Sequence, residues 1–218
     1  MISPYESSRI ASTGVKRKAR GGQGLRFYAS NGWVRRRFEV NDKADASTRA
    51  STIPPDDLSR QLTLVGPSED AKLKHVALAG GIYTMLLTGE DTAKKFCLID
   101  MQIPPGGGPV PHRHNFEETF TVLEGECVVT FRGRKVTVRA GETANVPANA
   151  PHFIHNESDT TAHVLCTCAP AGQDAFFLAV GIPVPSRQSQ PPVLSDAEKA
   201  AIGKKAQALA AQYETEFL

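Results

Sequence analysis

The sequence lacks a long apolar run. None of its 218 residues lies in a stretch that approaches the roughly 20 apolar residues of a transmembrane helix. The N-terminal charges are likewise not followed by the apolar core of a secretory signal. The sequence therefore predicts neither a membrane-spanning segment nor export, and the cytoplasm is the expected location.

Cysteine is scarce as well, and its spacing excludes a disulfide scaffold. The four cysteines form no CxxC pair. Cys166 and Cys168 alternate within a strand-like run, so they share a face, and a bridge between them would be strained. We predict buried, reduced thiols and a reducing compartment.

The chain as a whole has little excess charge of either sign. Its formal net charge is +2, which gives no reason to expect nucleic acid or a membrane surface as a partner. The positive charge is concentrated in residues 1–40, which contain nine Lys and Arg against two Glu. Residues 1–65 show no pair of amphipathic helices of the kind that a helix-turn-helix needs, so no nucleic-acid partner is predicted.

Residues 1–50 have few apolar clusters and are rich in Ser, Arg, Gly and Ala. Because such a composition cannot bury a core, we predict a basic, largely disordered N-terminal extension over residues 1–65. Enrichment in Arg and Ser with few acids also resembles an organelle transit peptide, so organelle targeting is an open alternative. A solvated tail and a misplaced start codon are the other interpretations.

The middle of the chain, residues 66–182, has the sequence pattern of a β-protein. Short apolar runs such as "FCLIDMQI" and "ETFTVLEGECVVTFRG" are separated by turn residues. Hydrophobic residues make up 40% of the chain, which is enough for a packed domain. Short strands at this spacing predict an antiparallel sandwich or barrel.

The last segment, residues 183–218, predicts a proline-rich linker followed by a helix over about 196–214. Ser195 and Glu198 have the spacing of a capping box, in which Ser is the N-cap and Glu the third helical residue. Four apolar residues follow at helical spacing and share one face; they are Ile202, Ala206, Leu209 and Tyr213. We expect this face to dock on the barrel or on a partner subunit.

The residues that could carry chemistry are clustered after a run of glycines and prolines. His112 and His114 are two apart, so on a strand they point the same way and can hold one metal ion. Glu118 or Glu117 could add an oxygen ligand, and His152 follows a Pro-containing turn that could aim its ring inward. Any single histidine is usually a solvated or core residue. Together these residues form a complete set of nitrogen and oxygen ligands.

At these positions the sequence resembles the cupin family. The first cupin motif, G-x5-H-x-H-x3-E-x6-G, is matched in full, and the second, G-x5-P-x-G-x2-H-x3-N, is matched except that Asn149 replaces its second glycine. Asn tolerates positive φ better than most residues, so the turn can survive this change. The matching residues are Gly106, His112, His114, Glu118, Gly125, Gly141, Pro147, His152 and Asn156.

The resemblance implies an all-β fold, a double-stranded β-helix or jelly-roll cupin barrel with a C-terminal helix. It implies one divalent transition metal (Fe, Mn, Ni, Co, Cu or Zn), bound by His112, His114, Glu118 and His152. Glu117 is displaced by one position from the motif and would face the other way. The sequence around the first motif is also similar to that of single-domain cupins of the quercetin dioxygenase type. This likeness implies an oxygenase in which Glu118 is also the catalytic base.

Three functions stay open at this stage. The first is a metal-dependent dioxygenase that acts on a small organic substrate. Phe120 and Val122 share strand parity with Glu118, and an apolar cavity there would favour an aromatic or other hydrophobic compound. The second is a non-oxidative isomerase or decarboxylase, and the third is a non-catalytic module that binds a small molecule. A homodimer is expected, since barrels of this family commonly pair through a sheet edge.

Overall fold

Short β-strands make up most of the regular structure in residues 53–218, which are the residues that the computed structural model describes. Two α-helices and two 3-10 helices (Pro67–Lys72 and Ala211–Tyr213) complete it. The strands are β1 (Lys74–Leu78), β2 (Gly81–Leu87), β3 (Cys97–Ile103), β4 (His112–His114), β5 (Glu117–Glu124), β6 (Glu126–Phe131), β7 (Arg134–Arg139), β8 (Thr143–Val146), β9 (His152–His155), β10 (Ala162–Ala169), β11 (Ile182–Val184) and β12 (Thr215–Phe217). The helices are α1 (Gln173–Val180) and α2 (Asp196–Ala210).

The strands form two antiparallel sheets. The seven-stranded sheet has the order β11-β1-β2-β3-β10-β5-β8, and the five-stranded sheet has the order β12-β4-β9-β6-β7. Burial alternates along the strands, as in β10, where every second side chain is buried. The buried side chains of both sheets form one hydrophobic core. The predicted all-β jelly-roll fold with a C-terminal helix is thereby confirmed.

Asn149 adopts the backbone conformation that its place in the motif predicts. Its φ is 67°, in the left-handed region where the family pattern has glycine. Its backbone N–H donates to the carbonyl oxygen of His114 at 2.7 Å. The turn that precedes β9 is therefore tied directly to β4.

The C-terminal helix begins as the sequence predicts. Ser195 is the N-cap of α2, and both hydrogen bonds of the capping box with Glu198 are present. The predicted apolar face packs against the core. The α-helix ends at Ala210, however, and the chain then turns into β12, which joins the five-stranded sheet beyond the predicted barrel range of 66–182. Neither β12 nor α1 was predicted from the sequence.

All four cysteines lie in the described part of the chain, and they are buried and unpaired, as predicted. Within residues 53–218, no helix combines the length and the apolar character needed to cross a bilayer. The disordered extension and the transit-peptide alternative concern residues that lie mostly outside the described range, and residues 53–66 contain no helix or strand. The cytoplasmic location and the homodimer also stay predictions, and light scattering over a range of concentrations would test the latter.

Candidate metal centre

Strand β4 supplies two of the four predicted donors. Its residues alternate, so that His112 and His114 are buried while Arg113 between them is exposed. Arg113 pairs with Glu216 of β12 on the outer surface. The His-x-His spacing therefore aims both imidazoles into the space between the sheets, as the strand geometry predicts.

Glu118 and His152 reach the same space from different strands. Glu118 is the second residue of β5 in the seven-stranded sheet, whereas His152 begins β9 in the five-stranded sheet, opposite His112. The Oε2 atom of Glu118 is 3.0 Å from Nε2 of His114 and 2.9 Å from Nε2 of His152. The four donor atoms all lie within 4.8 Å of one another. The fold thus brings together the four side chains that the sequence singled out.

The other nitrogen of each imidazole is held by a backbone carbonyl. In each case Nδ1 lies 2.8–2.9 Å from the carbonyl oxygen of the residue two positions away. A carbonyl oxygen only accepts, so Nδ1 carries a hydrogen and Nε2 is the nitrogen that faces the cluster. Metal-binding histidines are typically oriented in this way. The pairs are His112 with Val110, His114 with Phe116 and His152 with Ala150.

Burial and charge act in opposite directions on these groups. Burial of Glu118 favours its neutral form, but the hydrogen bonds and charges of His114 and His152 hold its pKa well below the usual range. Burial also lowers the pKa of His152, yet its hydrogen bond to the Glu118 carboxylate and the charge there raise that pKa overall. For His112 burial prevails and lowers the pKa to about 4. The cluster therefore contains a charged carboxylate, and this charge favours the protonated form of His152.

The donor set fits a divalent transition metal. Three imidazole nitrogens and one carboxylate oxygen suit Fe, Mn, Ni, Co, Cu or Zn. Two ligands about 2.1 Å from one ion and at right angles to it are about 3.0 Å apart. That is the separation of Glu118 Oε2 from the Nε2 atoms of His114 and His152. The chemistry and the closeness of the four donors therefore fit such an ion.

Metal affinity is expected to fall as the pH is lowered below the raised pKa of His152. The pKa of His152 is raised above its ordinary 6.5, so below that raised pKa a metal ion must displace a proton from the ring. Below that pKa, each pH unit should cost about tenfold in apparent affinity per displaced proton. His112, with a pKa of about 4, adds no competing proton above that value. Titration of Co²⁺ into metal-free protein from pH 5.5 to 8 measures the slope.

The matched control for this titration is His155→Ala. His155 lies on the same strand as His152 but at the opposite parity, outside the donor cluster. The variant should keep the wild-type slope. An affinity that does not change with pH over this range would show that no site proton is displaced.

The second oxygen of Glu118 is held by thiols. Cys166 Sγ donates to Glu118 Oε1 at 3.2 Å, and Cys168 Sγ is 3.8 Å from the same atom. The hydrogen bond with Cys168 lowers the pKa of Cys166, but burial and the Glu118 charge outweigh it and raise that pKa to about 12. The thiol therefore keeps its hydrogen and orients the carboxylate. The sequence placed these cysteines on one inward face but gave no sign that they contact the site.

Glu117 takes no part in the cluster, as predicted. It is exposed on the opposite face of β5. Its carboxylate accepts hydrogen bonds from the side chain of Asn145 at 2.8 Å and from the backbone N–H of Ala148 at 3.2 Å. Glu117 therefore stabilises the surface turn before β9 through these hydrogen bonds.

The donor cluster opens onto an apolar cavity of about 470 Å³, which His112 and Glu118 help to line. Phe120 lines it, as its strand parity suggested, whereas Val122 is buried in the core and is not among the described lining residues. Much of the remaining wall comes from α1, α2 and β12, which the sequence did not assign to the site. Apolar residues from these elements include Phe176, Phe177, Val180, Ile202, Ala206 and Phe217.

Comparison with known proteins agrees with this architecture. Residues 99–168 match the family model of the cupin domain (Cupin_2), and this segment contains all four donors. The segment that carries the four donors is therefore similar to the cupin domain, in agreement with the motifs.

Individual relatives cover parts of the chain. An uncharacterised protein of Methanocaldococcus jannaschii is 31% identical over 77 residues, which are 35% of this chain and 62% of that protein. A predicted oxalate decarboxylase from Thermotoga maritima is 26% identical in structural alignment, with a TM-score of 0.44 over 50% of this chain and 99% of that one. A polyketide cyclase from Streptomyces resistomycificus is 21% identical, with a TM-score of 0.43 over 62% of this chain and 89% of that one.

Proposed function

We propose that this protein is a metal-dependent oxidoreductase of the dioxygenase type, similar to quercetin dioxygenase-like cupins, that acts on a small aromatic or otherwise apolar compound. One observation carries the proposal. Three imidazoles, each fixed through Nδ1, and the Glu118 carboxylate meet at the wall of an apolar cavity. Donors of this kind suit redox-active metals, and an apolar cavity favours an apolar substrate.

The chain's own residues would bind the substrate and move its proton. The apolar walls exclude water, which strengthens electrostatic interactions inside the cavity. Glu118 lines the cavity, and its depressed pKa keeps it charged at neutral pH, so its carboxylate can accept a hydrogen bond from a substrate hydroxyl or enol. So weak a base would take the proton only where a bound metal makes that hydroxyl or enol more acidic. A bound metal would supply a Lewis acid and a redox centre.

Measurement of bound metal tests the first half of the proposal. Protein purified without chelator or metal-affinity resin should contain close to one equivalent of a transition metal. His112→Ala should lose most of it, because the change removes one nitrogen donor and an imidazole fixed in place by Val110. His155→Ala, outside the cluster, should retain it. Elemental analysis of the three proteins gives the result.

Oxygen uptake tests the second half. Metal-loaded protein should consume O2 with a member of a panel of phenols and 1,3-diketones, and His112→Ala should not. Turnover that continues without O2 would instead favour the isomerase or decarboxylase alternative, in which Glu118 still moves a proton. Tight binding of a panel member without turnover would favour a binding module. A parent protein that contains no metal and takes none up would overturn the proposal.

A further inference from the structure

Two buried polar atoms in the cavity wall have no hydrogen-bond partner among the described residues. They are the hydroxyl of Tyr83 on β2 and the side-chain oxygen of Gln173 on α1. The two residues are 1% and 4% exposed. Buried polar groups are nearly always hydrogen-bonded, and an unpartnered one destabilises a fold. Two such groups in one mainly apolar lining point to a ligand that supplies the partners.

Tyr83 and Gln173 belong to the same region of the wall. The Tyr83 ring packs against Phe177 with the ring centroids 5.1 Å apart. Gln173 precedes Phe177 by four residues, about one turn, so the two share a face of α1. The same cavity wall includes Glu118. A single small ligand in the cavity can therefore lie against both residues and the donor cluster.

The charge of the lining restricts the ligand further. Among the described lining residues, Lys199 is the only lysine or arginine, and its side chain is 63% exposed. The buried carboxylate of Glu118 lies in the same wall. A ligand with charged groups away from the donor cluster would find no buried lysine or arginine in this wall to pair with them.

We propose that the cavity selects a neutral, mainly apolar ring compound that carries a hydroxyl or an equivalent group, and that Tyr83 and Gln173 are its specificity determinants. The Tyr83 hydroxyl donates to an oxygen of the ligand, and the ligand donates to the side-chain oxygen of Gln173. This inference rests on the proposed function, because it names the substrate class of the same site.

A pair of probes of similar shape tests the selection. 2-Naphthol carries the hydroxyl, and 2-methylnaphthalene has a methyl group in its place. The as-purified, full-length protein should bind 2-naphthol more tightly. Tyr83→Phe and Gln173→Met should each weaken 2-naphthol binding by about 3- to 10-fold, as the loss of one hydrogen bond predicts, and leave 2-methylnaphthalene binding unchanged. Equilibrium fluorescence titration measures both affinities.

Thermal unfolding supplies a second readout, which shows whether the removed atoms lack a partner in the free protein. Each change removes an unpartnered buried polar atom, so both variants should unfold at a temperature about 2–4 °C higher. Thr130→Val is the matched control, because its hydroxyl is also buried and unpartnered but lies outside the cavity lining. It should raise the unfolding temperature similarly and leave the preference for 2-naphthol intact.

The proposal is overturned if both cavity variants bind 2-naphthol as tightly as the wild type, or if they lose affinity for the two probes equally. It is also overturned if Thr130→Val loses the same preference. Repetition after metal removal separates this result from the proposed function. A preference for 2-naphthol that depends on Tyr83 and Gln173 in metal-free protein supports the inference even if no O2 is consumed.

Discussion

Glu118→Gln is expected to lower turnover sharply even when the metal site is filled. Glutamine keeps the size of the side chain and one oxygen, but it cannot accept a proton. Because a positioned acid or base contributes about 10²–10⁴-fold, turnover at saturating metal should fall by about that factor. Metal affinity should also fall at least about tenfold. Mutation of a residue that only hydrogen-bonds to a metal ligand already lowers the affinity by about 10–100-fold. Oxygen uptake and metal content are measured on the same sample.

Glu117→Gln is the matched control for this experiment. The residue is adjacent in sequence, yet it faces the surface and bonds Asn145 and Ala148. Its turnover and metal content should stay within about twofold of the wild type, because exposed polar contacts contribute little. Should the metal-loaded Glu118→Gln protein turn over at the wild-type rate, Glu118 would not be the proton acceptor.

Part of the donor cluster could be predicted because its geometry is set by short-range rules, whereas His152, on a strand of the other sheet from Glu118, could be assigned only through the resemblance to the cupin motifs. Strand alternation places His112 and His114 on one face and separates Glu118 from Glu117. The one departure from the motif, Asn149, keeps the required positive φ. In such cases the spacing of residues along the chain determines where their side chains point.

The cavity could not be predicted because it depends on contacts between distant segments. Strand β12 is three residues long, too short to show alternation, and it pairs with β4 about 100 positions earlier in the sequence. Helix α1 is hydrophobic over most of its length, so its sequence does not show which face meets Tyr83. The hydrogen bond from Cys166 to Glu118 likewise depends on the pairing of β10 with β5, whose register no local pattern defines.

Removal of residues 214–218 is expected to destabilise the fold and weaken metal binding. These residues include β12, which pairs with every residue of β4, whereas β9 pairs with β4 only through His112 and His152. Without β12, the strand that holds two donors becomes an exposed edge. The metal affinity should fall at least about tenfold, as it does when a residue that orients a metal ligand is removed.

The loss of packing adds to this effect. The Phe217 ring lies 6.5 Å from the ring of His112 and 6.4 Å from that of Phe176, and Thr215 is buried. Because Phe217 is only partly buried, the free energy of unfolding should fall by about 2–4 kcal/mol, near the lower end of values for a core phenylalanine. Urea unfolding measures the stability, and Co²⁺ titration measures the affinity.

Glu216→Gln distinguishes the effect of the strand from the effect of its surface ion pair. The variant keeps β12 but removes the ion pair with Arg113, whose partners are 46% and 57% exposed. Exposed pairs contribute about 0–1 kcal/mol, so its stability and affinity should stay close to those of the wild type. If the truncated protein also matches the wild type, β4 is held by β9 and the core alone. If Glu216→Gln loses as much as the truncation, the ion pair rather than the strand fixes the two histidines.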